Sequence, residues 1–314
     1  MRCLVDSENH YHTLRFSLRR GMSYCMKEQT TDRTNGGTSN AFTIPGTEVR
    51  MMSSRNENRT YHIFISKPST PPPPAGYPVI YLLDANSVFG TMTEAVRIQG
   101  RRPEKTGVIP AVIVGIGYET AEPFSSARHR DFTMPTAQSK LPERPDGREW
   151  PEHGGAEGFF RFIEEDLKPE IERDYQIDKK RQTIFGHSLG GLFVLQVLLT
   201  KPDAFQTYIA GSPSIHWNKP FILKKTDHFV SLTKKNNQPI NILLAAGELE
   251  QHHKSRMNDN ARELYERLAV LSEQGIRAEF CEFSGEGHIS VLPVLVSRAL
   301  RFALHPDGPH LSMG

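Results

Sequence analysis

A serine with a glycine two positions before it and another two positions after it is the strongest candidate for chemistry in this chain. It is Ser188, in the pentapeptide GHSLG at 186–190. An apolar run of strand length precedes the pentapeptide and one of helical length follows it, which predicts a strand, a sharp turn and a helix. Such a turn holds the hydroxyl at the end of the strand, beside the free N–H groups of the helix N-terminus, where a developing oxyanion is stabilised. Ser188 is therefore predicted to be a catalytic nucleophile.

A serine hydroxyl is a weak nucleophile until a general base takes its proton. His288 is the best-placed base, because it lies in the segment SGEGHIS between a strand pattern and the last helix pattern. This position fits the chain order serine, acid, histidine of α/β-hydrolases. Other histidines that follow Ser188 match that position less well, among them His216, His228, His252, His253 and His305.

A carboxylate must orient the histidine and stabilise its charged form. The strand pattern INILLAAG, which ends at Gly247, is followed by two glutamates. Glu250, three residues beyond that glycine, is the predicted acid, and Glu248 is the alternative.

Two N–H groups are needed to bind the oxyanion. The first is expected from Leu189, the residue after the nucleophile. The second is expected from the segment after the third strand pattern, with the N–H of Asn86 as first choice and that of Ala85 as second.

These residues require a scaffold of alternating strands and helices. Eight strand patterns occur after residue 47, the first two separated by turn residues and the later ones separated by helical patterns or loops. This order predicts an α/β protein with the α/β-hydrolase fold, a mostly parallel central sheet of about eight strands flanked by helices. The domain is expected to span 47–306. Within it, the Pro- and Arg-rich stretch 125–152 is a long loop of the kind that is often functional.

The ends and the composition limit other functions. Residues 1–46 are polar and are predicted to be a disordered or non-native extension, and 307–314 a flexible tail. A net charge of +2 gives no reason to expect nucleic acid as a partner, and no apolar run is long enough to span a membrane. Without a secretory signal the expected location is cytoplasmic, and the three scattered cysteines indicate neither a disulfide framework nor a metal site. No cofactor is expected.

Several longer motifs add a resemblance. They are YLLDAN, RHRDFTMP, FGHSLGGLFVL, SPSIHW, GELE and GEGH. The chain resembles the putative-esterase (esterase D-like) family of α/β-hydrolases, and within it most resembles the ferric-siderophore trilactone esterases. The resemblance implies a serine esterase that hydrolyses a bacillibactin-like cyclic trilactone of catecholates and so releases iron. The iron would arrive with the substrate. Two departures from the family pattern are Ala85 in place of glycine and His216 in place of tryptophan.

A ferric catecholate is bulky and anionic, so its site needs cations and aromatic faces. Arg128 and Arg130 are expected to supply charge, and Phe132 and Trp217 to supply stacking surfaces. Two alternatives stay open. One is a general carboxylesterase or thioesterase of the feruloyl or S-formylglutathione type. The other is a binding protein with an inactive hydrolase pocket, against which the complete set of serine, acid and histidine argues.

Overall fold

The central feature of the computed structural model is an eight-stranded sheet. The structure describes residues 42–137, 141–144, 147–233 and 239–305. The strand order is β1-β2-β4-β3-β5-β6-β7-β8. The strands are β1 (Thr47–Ser53), β2 (Thr60–Ser66), β3 (Tyr77–Leu83), β4 (Val112–Gly117), β5 (Ile177–His187), β6 (Thr207–Gly211), β7 (Ile240–Gly247) and β8 (Ile276–Phe283). β2 is antiparallel to both of its neighbours, and all other pairs are parallel. The predicted α/β-hydrolase fold is confirmed.

Helices cover both faces of the sheet. They are α1 (Ala85–Gln99), α2 (Pro103–Thr106), α3 (Arg128–Phe132), α4 (Ala156–Arg161), α5 (Lys168–Asp174), α6 (Leu189–Thr200), α7 (Lys219–Thr233), α8 (Met257–Ala269) and α9 (Val291–Ala303). A π-helical segment, Phe162–Leu167, joins α4 to α5. One face of the sheet packs against α1 and α9, and the other packs against α4 to α8. Strands buried on both faces read as continuous apolar runs, which explains why they are recognisable in the sequence.

The direction of the parallel strands determines where the site lies. In β3, β4, β6 and β7 every residue is buried, so the strands themselves offer no surface to a ligand. Ligands of open parallel sheets bind beyond the carboxyl ends of the strands, where the connecting loops meet. Here the segments that follow β5, β7 and β8 carry Ser188, Glu250 and His288, respectively.

Several of the helices are not predicted by the sequence patterns. The helical patterns do not include α1 or α7, which contain polar or small residues at many positions, and the predicted long loop 125–152 contains the short helix α3. Tertiary packing rather than propensity decides such helices. The predicted extension 1–46 lies outside the described residues as far as residue 41, and the tail 307–314 lies outside them completely, so both stay predictions.

No helix in the described part of the chain is both long enough and apolar enough to cross a membrane.

Candidate active site

Ser188 occupies a strained turn between β5 and α6. Its φ of 59° and ψ of −117° are rare for a residue with a side chain. The turn is so tight that a Cβ at Gly186 would lie 2.3 Å from the carbonyl oxygen of Gly190, which explains the glycine. The Ser188 N–H donates to the carbonyl of Gly211 at the end of β6, at 2.9 Å. Backbone geometry thus holds the hydroxyl at the carboxyl edge of the sheet.

Ser188, His288 and Glu250 form one chain of hydrogen bonds. Ser188 Oγ lies 3.0 Å from His288 Nε2, and His288 Nδ1 lies 2.7 Å from Glu250 Oε2. When Nδ1 carries the proton, it donates a hydrogen bond to the carboxylate and leaves Nε2 free to accept one from the serine hydroxyl. This is the arrangement that a general base requires. The structure brings these three predicted residues together across 100 positions of sequence.

The carboxylate of Glu250 is buried and firmly held. Its Oε1 accepts the hydroxyl of Ser212 at 2.6 Å and the N–H of Gly247 at 2.8 Å. Burial raises the pKa of Glu250, but the hydrogen bonds from His288, Ser212 and Gly247 outweigh burial and keep the pKa below its usual value. The group is therefore an anion at neutral pH and stabilises a positive charge on His288.

Glu248, the alternative acid, lies elsewhere. Its exposed carboxylate accepts the Ser284 hydroxyl at 2.7 Å and the Gly285 N–H at 2.8 Å. These hydrogen bonds, first from Ser284 and then from Gly285, lower the pKa of Glu248. Glu248 thus ties the β7 end to the loop that carries His288, whereas Glu250 contacts the imidazole itself.

The predicted oxyanion donors lie at two helix starts. Leu189 is the first residue of α6 and lines the cavity above Ser188. Ala85 and Asn86 open α1, and neither is among the residues that line this cavity. The first N–H groups of a helix have no partner within it, so the backbone N–H groups of Ala85 and Asn86 both stay candidates for the second oxyanion donor. The Asn86 side chain has another task, since it bonds to the backbone of Tyr118 and Thr120 after β4.

A cavity of about 600 Å³ opens above the serine. It is lined by Arg128, His129, Trp150, Ser188, Leu189, Ser214, His216, Trp217, Leu249, Glu250, His252, His253, Ser255, Met257 and His288. The rings of Trp150 and Trp217 meet edge to face, with centroids 4.7 Å apart, and His129 lies 5.8 Å from Trp150. The cavity therefore offers aromatic surface beside the nucleophile.

The four predicted substrate-binding residues are not equally placed. Trp217 and Arg128 line the cavity, but Trp217 is only 2% exposed, so it presents little of its face to a substrate. Arg130 does not, because its guanidinium is paired with Glu57 at 2.9 Å and with Glu152 at 3.0 Å. Phe132 does not either. It is fully buried and packs on neighbouring phenylalanine rings of the core, so it presents no face to a substrate.

Arg128 also differs from the expectation of a free cation. Its Nε and Nη2 donate to the two carboxylate oxygens of Asp84, each at 2.8 Å, and Nη2 also reaches the carbonyl of His187 at 3.3 Å. Among the described lining residues Arg128 is the only lysine or arginine, and this bidentate pair neutralises it. The cavity thus carries no unpaired permanent positive charge in the part of the chain that the structure describes.

Imidazole rings, rather than the unpaired arginines expected from the sequence, line the cavity. Burial lowers the pKa of His129, and burial followed by the charges of His253 and His288 lowers the pKa of His216 to about 4. Below the cavity, burial and then the charge of His288 lower the pKa of His187 to about 3. At neutral pH these three rings are uncharged, and the two that line the cavity, His129 and His216, can act as hydrogen-bonding and stacking groups.

Several cavity or support residues are absent from the sequence-based predictions, and three of them bear on the proposed chemistry. Trp150 lies in the long loop, where one tryptophan in a polar stretch was the available signal. Ser212 and Ser214 belong to the SPSIHW motif, and Ser214 Oγ lies 3.3 Å from Ser188 Oγ. Serines are common in turns, so their type alone does not single them out.

The fold and the strained serine turn define a serine hydrolase of the α/β-hydrolase class. Within that class, the chain belongs to the family described as "Putative esterase", whose model matches residues 54–290. It is an ester hydrolase, as the sequence predicts.

Named relatives are similar over most of the chain. A siderophore enterobactin esterase of Emericella nidulans is 37% identical over 71% of this chain and 80% of its own length. A siderophore triacetylfusarinine C esterase of Aspergillus fumigatus is 34% identical over 71% of this chain and 80% of its own length. The crystal structure of the BES protein from Bacillus cereus has a TM-score of 0.80 and 45% identity, and covers 85% of this chain and 98% of its own.

Proposed function

We propose that this enzyme hydrolyses the ester bonds of a siderophore trilactone built from catecholates, of the bacillibactin type, and thereby releases the iron that the substrate carries. The observation that carries the proposal is the aromatic cavity of about 600 Å³ directly above Ser188. A flat catecholate ring can stack on the partly exposed ring of Trp150, against which the buried Trp217 packs edge to face, while a lactone carbonyl approaches the serine. The names of the two curated relatives, both siderophore esterases, support a siderophore ester as the substrate, and one of them names enterobactin.

The proposed mechanism follows from the hydrogen-bond chain. Ser188 Oγ attacks the ester carbonyl as His288 Nε2 takes its proton, and Glu250 stabilises the imidazolium. The tetrahedral oxyanion binds the N–H of Leu189 and that of Asn86 or Ala85. His288 then protonates the leaving alcohol, and water activated by the same histidine hydrolyses the acyl-enzyme.

Substrate recognition depends mainly on stacking and on neutral donors. Because Arg128 is paired with Asp84, neutral polar groups of the cavity wall, among them the imidazoles of His129 and His216, are available to meet catecholate oxygens. A cytoplasmic location belongs to the same proposal, and fractionation of cells that produce the protein would test it.

Hydrolysis of trilactones tests the function directly. Iron-loaded and iron-free catecholate trilactones are incubated with the enzyme, and the ring-opened products are followed by mass spectrometry beside a panel of neutral aryl esters and S-formylglutathione. We expect kcat/KM for a trilactone to exceed that for the neutral esters at least tenfold, and Ser188→Ala to abolish all turnover. A preference for the neutral esters or the thioester would instead support the general esterase alternative. Turnover by Ser188→Ala would refute the assignment of Ser188 as the nucleophile.

A further inference from the structure

The turn after β6 touches both ends of the proposed catalytic apparatus. On the nucleophile side, the Gly211 carbonyl accepts the Ser188 N–H at 2.9 Å, and the Ser214 N–H donates to the Ser188 carbonyl at 3.0 Å. On the acid side, the Ser212 hydroxyl donates to Glu250 Oε1 at 2.6 Å. A turn of four residues thus connects the serine and the carboxylate.

Ser212 adopts a backbone conformation that disfavours a side chain. Its φ is 39°, and its relative exposure is 0%. Its N–H donates to the Ala245 carbonyl in β7 at 2.7 Å, so the neighbouring strand fixes the conformation. Glycine adopts positive φ without the steric cost that other residues meet. The hydroxyl group is what serine contributes here and glycine lacks.

We infer that Ser212 is a positioning residue for the esterase reaction, whose buried hydroxyl sets the orientation of the Glu250 carboxylate toward His288. The inference rests on the catalytic roles proposed above. It assigns to Ser212 no contact with substrate, since Ser212 is not among the residues that line the cavity.

The geometry explains how one hydroxyl has this effect. Two donors, Ser212 and Gly247, converge on Oε1, and this fixes the rotation of the carboxylate so that Oε2 faces His288 Nδ1. Without the hydroxyl, Gly247 alone holds Oε1, and the carboxylate can rotate about its terminal bond, a soft torsion. The imidazole then loses its fixed orientation in the transition state, while substrate binding is unaffected.

The test separates orientation from folding. Ser212→Gly and Ser212→Ala are compared with wild type for kcat and KM on p-nitrophenyl butyrate, for melting temperature, and for the downfield proton resonance of His288 Nδ1–H. Loss of a hydrogen bond to a charged group corresponds to a drop in kcat of roughly 10- to 100-fold, with KM within about twofold. Ser212→Gly is expected to melt at least as high as Ser212→Ala, because glycine relieves the strain. Ser231→Ala, which removes an exposed hydroxyl in α7, is the matched control.

The outcomes distinguish the inference from the function on which it rests. A Ser212→Gly variant with wild-type kcat, beside an inactive Ser188→Ala variant, would overturn the inference and leave the proposed mechanism in place. A fall in kcat that only parallels a loss of folded protein would also overturn it. Turnover by Ser188→Ala would instead refute the proposed mechanism. Low kcat with unchanged KM, intact folding and a shifted His288 resonance would support the role of Ser212.

Discussion

Replacing Asp84 by Asn removes the negative charge that neutralises Arg128 beside the cavity. Asp84 has a φ of 53° and ψ of 45°, the left-handed conformation that asparagine also tolerates well. The two side chains have nearly the same size, so the substitution changes the charge and little else. It therefore isolates the contribution of the ion pair.

The expected loss of stability is large because the pair is buried. Asp84 is 4% exposed and the Arg128 side chain 10%, and the two are joined by two hydrogen bonds of 2.8 Å. Removing one partner of such a pair leaves an uncompensated charge and costs roughly 3–5 kcal/mol. For a domain of this size about 2–4 °C is lost per kcal/mol, so the melting temperature is expected to fall by roughly 6–20 °C. The contact of Arg128 with the His187 carbonyl favours the lower part of this range.

Thermal unfolding followed by circular dichroism measures the effect. A double variant, Asp84→Asn with Arg128→Met, removes both charges and is expected to recover most of the loss. Glu94→Gln is the control. It breaks an exposed pair with Arg97, whose N–O distance is 2.7 Å, and such pairs contribute at most about 1 kcal/mol.

Two results would refute this reasoning. One is a melting temperature of Asp84→Asn within about 2 °C of wild type, where a fall of roughly 6–20 °C is expected. The other is a double variant less stable than Asp84→Asn alone, since this would mean that Arg128 stabilises the fold by packing rather than through its pairing with Asp84. The released guanidinium should also lower KM for an ester that carries a carboxylate, which steady-state kinetics would detect.

Three further predictions concern the acid, the cavity wall and pH. Glu250→Gln should lower kcat by roughly 10³- to 10⁴-fold, because an amide favours the wrong histidine tautomer, whereas Glu248→Gln should keep more than about a tenth of it; equal losses in steady-state assays would contradict the choice of acid. Trp150→Ala should raise KM for aryl esters about 5- to 10-fold at similar kcat, because it removes a stacking face, and an unchanged KM would argue against stacking. The free energy of unfolding should fall as pH drops from about 6.5 towards 3, because His187 is protonated in this range in the unfolded chain but stays neutral while it is buried in the folded protein. His187→Leu should flatten that slope in urea titrations, and an unaltered slope would exclude His187 as its source.

The sheet and the serine turn could be predicted because their signals are local. Each buried strand is a continuous apolar run, and the pentapeptide at 186–190 lies between a strand pattern and a helix pattern. The order of serine, acid and histidine then follows from the fold, since the carboxyl ends of neighbouring parallel strands meet at one edge. The position of Glu250 relative to Gly247 needed only the end of β7.

The lining of the cavity could not be predicted, because it depends on partners far apart in the chain. The pairing of Arg128 with Asp84 spans 44 positions, and that of Arg130 with Glu57 spans 73. No local pattern indicates whether an arginine meets a carboxylate or a ligand. Phe132 illustrates the same limit, because an aromatic residue in a polar loop can cover the core as readily as it can face a cavity.

The proposed catalytic groups and one wall of the cavity come from different parts of the fold. Ser188, Glu250 and His288 lie in the segments that follow β5, β7 and β8, whereas Trp150 belongs to the long segment between α3 and α4. Mutations around Trp150 leave the strands of the sheet unchanged. For laboratory evolution, libraries confined to this wall should therefore yield variants with new substrate ranges at a high rate of soluble expression, because hydrolytic power and selectivity can be altered separately.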